Sequence, residues 1–170
     1  MHPNSNGLAR KGFTLIELMV VMLLISILLA IAMPRFQVNV AQDPVKKTSR
    51  WIIHNVRVLR TAAVQKQKQH AIVIDLNRNC MWVVNADMDD EALAAAAEKS
   101  FNLPDALRIV DVQFPDKDRL SDGTAEIHFY PAGYSDEVVI HLENASAERY
   151  SFIVEPLLPK VKIIDEWKAL

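Results

Sequence analysis

The chain has 170 residues, of which 51% are apolar, and 19 Lys/Arg against 21 Asp/Glu give a formal charge of −2. This is ordinary globular material with room for one modest domain, and neither disorder nor a fibrous repeat fits it. The only cysteine is Cys80, so an intramolecular disulfide is excluded and the residue reads as a small apolar core side chain.

The charge is unevenly spread. Residues 1–12 carry Arg10 and Lys11 and no acid, and residues 13–70 carry eight Lys/Arg against Glu17 and Asp43. Residues 71–170 carry nine Lys/Arg against nineteen Asp/Glu, a balance of −10. A basic stem therefore leads into an acidic head, a split that biases the choice of partner.

Residues 1–12 are polar, end in Arg10-Lys11-Gly12 and read as a leader. Residues 13–33 then form a run of 21 in which Glu17 alone is charged. As a helix the run is roughly 32 Å long, about the thickness of a bilayer core. Three readings compete. A plain signal anchor leaves Glu17 unexplained. A secretory signal peptide cut after Ala30-Ile31-Ala32 meets the small-x-small rule, but its apolar region is too long and holds a carboxylate. The third reading uses Gly12-Phe13-Thr14-Leu15-Ile16-Glu17, which resembles the processing site of type IV prepilins and type II secretion prepseudopilins.

That resemblance implies that a membrane-embedded prepilin peptidase cuts between Gly12 and Phe13 and methylates the new amine of Phe13. The physics agrees. A carboxylate in an apolar helix needs a partner, and the cut creates a cation on Phe13 that can neutralise Glu17 of a neighbouring subunit. Pro34 is expected to end or kink the helix after Met33, and a Pro at this distance from the cut is also similar to pilin helices. Pro44 marks a second break.

From Val45 to about Gln69 the pattern is helical: Val45, Ile52, Val56, Leu59 and Ala63 share one narrow stripe, with Lys46, Lys47, Arg50, Arg57 and Lys68 opposite. Trp51, Val58 and Ala62 form a second apolar patch. Two readings of it stay open: contact with the head's own edge, or packing against a neighbouring subunit's helix.

The head reads as strands at residues 71–75 and 80–84 around Asn77-Arg78-Asn79, then a short Ala-rich helix capped by Asp89 or Asp90. Asp87, Asp89, Asp90 and Glu91 lack the glycine and distal Glu of a calcium loop, so capping is preferred. A strand at 107–114 and a charged loop at 115–123 follow. Residues 124–130 and 137–143 are expected to pair as a hairpin, with Ile127, Phe129, Val138 and Ile140 inward and Glu126, His128 and His141 outward. A zinc site on that outer face lacks a further ligand at suitable spacing, and an exposed Glu126–His141 pair is expected. Strands at 149–155 and 160–164 close the head, and 165–170 is a short tail.

Phe129-Tyr130-Pro131-Ala132-Gly133, the helix around Val56-Arg57-Val58-Leu59-Arg60-Thr61-Ala62-Ala63 and the closing strands are similar to the minor pseudopilin H and FimT-like group. The acidic Ala-rich segment and Leu158-Pro159-Lys160, which lacks a glycine, depart from it. The resemblance implies an α+β pilin-like fold: leader 1–12, transmembrane assembly helix 13–33, amphipathic stem 34–70 and periplasmic β-rich head 71–170. It implies a minor pseudopilin of type II secretion, or a FimT-like minor pilin acting in pilus assembly or DNA uptake. A signal-anchored periplasmic protein is the remaining alternative. The implied partners are prepilin peptidase, other major and minor pseudopilins, the inner-membrane assembly platform and the membrane. No nucleic acid partner, cofactor or metal is expected, because the head is acidic and no catalytic or phosphate-binding motif appears.

Overall fold

A computed structural model of the protein describes residues 14–36, 44–158 and 160–166, with the side chains of 29–36 outside the description. It divides into two compact units, one up to Gln42 and one from Asp43 onward.

The described part of the first unit is helix α1 (Leu15–Phe36). Thr14 caps it: the Glu17 amide donates to the Thr14 hydroxyl at 3.3 Å and lies 3.1 Å from the Thr14 carbonyl. All side chains from Leu15 to Leu28 are exposed, and apart from Glu17 and Ser26 they are apolar. The helix does not stop at Met33; it continues through Pro34 to Phe36. A proline removes its own amide and crowds the preceding turn, but it leaves the residues after it free to stay helical.

The second unit begins with α2 (Pro44–Lys66). Pro44 stands at its first position, where a missing amide costs nothing. Ile52, Val56, Leu59 and Ala63 are buried along one side of α2 and Val45 packs at the end of the same stripe. Each large aliphatic side chain buried there contributes roughly 1.5–3 kcal/mol.

Among the described residues eight strands form two antiparallel sheets. The first has the order β3-β2-β1-β5, from β1 (His70–Asp75), β2 (Cys80–Asn85), β3 (Phe101–Asn102) and β5 (Thr124–Phe129). The second has the order β4-β6-β7-β8, from β4 (Leu107–Gln113), β6 (Val138–Asn144), β7 (Arg149–Val154) and β8 (Val161–Ile164). Helix α3 (Asp90–Glu98) links β2 to β3, and the Asp89 carboxylate caps it by accepting from the Ala92 amide at 2.8 Å. Both sheets and α2 contribute to one core, in which Phe129, Phe152, Ile72, Ile127 and Ile140 are fully buried.

The expected 124–143 hairpin does not form. β5 pairs with β1 and β6 pairs with β4 and β7, so the chain changes sheet between them. Asp136 fixes the crossover. Its carboxylate accepts from the His128 amide at 2.9 Å and the Tyr130 hydroxyl at 3.0 Å, while its own amide donates to the His128 carbonyl. Ile127, Phe129, Val138 and Ile140 still face one core, but from different sheets. The expected outer face fails with the hairpin. His141 is fully buried opposite Asp111 of β4, and Glu126 pairs with His128 at 3.2 Å instead.

Candidate assembly site

Gly12 and Phe13, between which cleavage is expected, lie outside the described residues. Glu17 is exposed in the first turn of α1, where the positive end of the helix dipole favours an acid. Its neighbours Leu15, Ile16, Leu18 and Met19 are all more than half exposed. The first turn thus presents one carboxylate within an apolar surface, the setting in which a cation from another molecule is worth most. Among the described residues no helix is long and apolar enough to cross a membrane; α1 has described side chains only as far as Leu28.

On α2 the second apolar patch divides. Trp51 stacks on Phe101 of the same head, ring centroids 5.2 Å apart and planes 17° from parallel, with the Lys47 ammonium 5.8 Å from the Phe101 centroid. Val58 is 44% exposed and Ala62 is half-buried. Trp51, Asn55, Val58 and Ala62 follow four-three-four spacing, a seam that could accept another helix. Lys46, Lys47, Arg50 and Arg57 are exposed beside it.

One residue of this helix escaped the sequence reading. Arg60 is buried at 8% exposure, and its Nη2 donates to the Ser135 hydroxyl at 2.8 Å and to the Glu155 carbonyl at 2.9 Å. Its Nε and Nη1 have no hydrogen-bond partner, and burial lowers its pKa. A guanidinium nevertheless keeps its charge. Arg60 ties α2 to the loop before β6 and to the end of β7. Its spacing, four residues beyond Val56 and three before Ala63, was the available signal.

The remaining polar groups serve the head itself. His141 Nδ1 is 2.6 Å from Asp111 Oδ1, both buried. Burial and the neighbouring Asp136 carboxylate raise the pKa of Tyr130. Within the acidic segment Asp89 caps α3 and Asp87 pairs with Lys68. Among the described residues no group of three His, Cys, Asp or Glu is placed to hold a metal.

Residues 8–33 match the family model described as the prokaryotic N-terminal methylation motif. A fimbrial protein of Pseudomonas aeruginosa is 47% identical over 55 residues, 32% of this chain and 33% of the relative. The chain therefore spans about a third of the length of the curated relatives it matches. The minor pseudopilin EpsH from the type 2 secretion system of Vibrio cholerae superposes with a TM-score of 0.56 at 10% identity, covering 75% of this chain and 99% of that one. A second EpsH structure gives a TM-score of 0.50 at 8% identity, covering 75% and 97%. The likeness to pilins lies in the N-terminal motif and, as fold, in the head. The chain combines the prokaryotic N-terminal methylation motif with an α+β head of pseudopilin fold.

Proposed function

We propose that the chain is a minor pseudopilin of a type II secretion system. In this reading residues 13–33 insert it in the bacterial inner membrane, with the leader cytoplasmic and the head periplasmic. Prepilin peptidase cuts between Gly12 and Phe13 and methylates Phe13. The mature subunit then joins or caps a pseudopilus with other pseudopilins on the inner-membrane platform. The observation that carries the reading is the conjunction of Gly12, Phe13 and Glu17 with the helix that follows them and a head of pseudopilin fold. Glu17 links the two stages, because the amine created at Phe13 is the cation its apolar surroundings call for.

A second reading, a FimT-like minor pilin, draws support from the fimbrial relatives. Its DNA-uptake form is disfavoured by the −10 balance of residues 71–170. Mass spectrometry of the mature N-terminus tests the shared premise. The expected start is methylated Phe13, and an intact leader or a start at Met33 overturns it. Glu17→Val should still insert but copurify with pseudopilins roughly tenfold less, as expected when an ion pair worth about 1.4 kcal/mol is lost. Undiminished copurification would remove the role given to Glu17.

A further inference from the structure

Helix α2 contains no Asp or Glu, and its first two turns carry Lys46, Lys47 and Arg50, all exposed. Cations at the start of a helix oppose its dipole, and acids are the favoured residues there. The arrangement therefore costs the fold something, and no acid within α2 offsets it. At about 100° per residue, Lys46, Lys47, Arg50 and Arg57 fall within about 100° of one another. Ile52, Val56, Leu59 and Ala63, which seat the helix on the core, lie on the opposite side. The cations thus form one outward stripe, about 17 Å long at a rise of about 1.5 Å per residue.

Two anionic surfaces suit such a stripe: the acidic head of another copy, and the headgroups of an anionic bilayer. Connectivity favours the bilayer. Residues 37–43 alone separate α1 from α2, and that stretch of chain spans at most about 29 Å when fully extended. With residues 13–33 inserted as proposed above, the stripe is tethered to the membrane surface before any neighbour docks. A tether supplies a high effective concentration, so a few weak contacts suffice. Each Lys or Arg close to an anionic leaflet is attracted to it, and the attraction fades within a Debye length.

The rest of the head does not compete for that surface. Residues 71–170 carry a balance of −10 and are repelled by an anionic leaflet. Attraction at the stripe and repulsion elsewhere orient the head as well as hold it.

We propose that Lys46, Lys47 and Arg50 rest on anionic phospholipid headgroups, which hold the unassembled subunit with its acidic residues turned away from the leaflet. It rests on the membrane insertion proposed above and names the surface that receives the stem. Entry into a filament then exchanges lipid for protein around the same cations.

Amine footprinting of the full-length chain in vesicles tests it. One preparation is phosphatidylcholine alone, and the other includes about 30% phosphatidylglycerol to supply the anionic surface. A neutral acetylating ester modifies exposed lysines, and mass spectrometry reads Lys46 and Lys47 against Lys117, an exposed lysine of the 115–123 loop. In the anionic vesicles that ratio should fall at least roughly fivefold, and salt at about 1 M, with a Debye length of about 3 Å, should restore it. Arg50→Glu, a change at an exposed position, should reduce the protection to below about half. Equal ratios in the two preparations overturn the contact, as does protection that survives about 1 M salt. Protection of the same size in phosphatidylcholine, rising with the protein-to-lipid ratio, also overturns it, by identifying another copy as the cover. The N-terminal mass of the same samples reports processing independently. A chain starting at Phe13 whose lysines stay unprotected loses the lipid contact alone, and an unprocessed chain whose lysines are protected keeps the contact and loses the assembly reading.

Discussion

Arg60 shows what a single side chain does in this head. Its two hydrogen bonds join α2 to residues 75 and 95 positions away, while two of its nitrogens are buried without partners. Arg60→Ala removes both charge-assisted bonds and leaves a void, so urea unfolding should show a loss of about 2–3 kcal/mol. Arg60→Met keeps the aliphatic packing and also removes the unpaired nitrogens, so it should cost less than the alanine variant. Equal losses would mean that the charge, not the packing, holds the joint. In the sequence Arg60 reads as one more cation of a basic helix. Charge type suggested solvent, whereas its position beside Val56 and Ala63 pointed inward. Asn79 was hidden in a similar way. It reads as a turn residue, but its side chain donates to the Leu107 carbonyl and accepts from the Ile109 amide, each at 2.8 Å, so it joins the β1–β2 turn to the other sheet.

At the scale of elements, α2 and α3 were legible because a helix is written in neighbours three and four apart. Strand positions were legible for the same local reason, through alternation. Strand partners were not. Ile127, Phe129, Val138 and Ile140 face one core whether β5 and β6 pair or belong to separate sheets, because a period of two reports the face and not the neighbour. Asp136, three hydrogen bonds deep in the crossover, decides the matter, and nothing in its local sequence distinguishes it from a loop aspartate. Within the second sheet Glu143 of β6 bridges both adjoining strands, accepting from Arg108 of β4 at 2.8 Å and from Arg149 of β7 at 3.0 Å. These hydrogen bonds hold its carboxyl below the usual carboxylate range. The native value lies below the unfolded one, so the ionised form favours folding. That contribution is complete above the unfolded value, about 4.3, and is lost as pH falls through the lower native value. The difference in urea midpoint between the natural chain and Glu143→Gln should hold from pH 7 to about 5 and shrink below roughly 4. It should also be small and weaken with salt, since both arginines are largely exposed. A difference that persisted undiminished at pH 3 would assign the effect to packing.

Across the whole molecule the N-terminal motif was readable residue by residue, because it is written in one short run of consecutive residues. The head was readable only as a class: it shares 10% identity with a pseudopilin of similar fold, so few individual residues carry that likeness. Charge is the other whole-chain property, and it makes a prediction of its own. The exposed basic residues of α2 and the −10 balance of residues 71–170 are expected to attract each other between copies. Raising salt from about 0.1 M to about 1 M shortens the Debye length from about 10 Å to about 3 Å and screens that attraction. An apolar contact is not weakened in this way, and excluded salts strengthen it. Light scattering or sedimentation of the full chain should therefore show a fall in the association rate. If association is insensitive to salt in the natural chain, the charge split plays no part in assembly. If high salt abolishes association entirely, electrostatics alone holds the copies together.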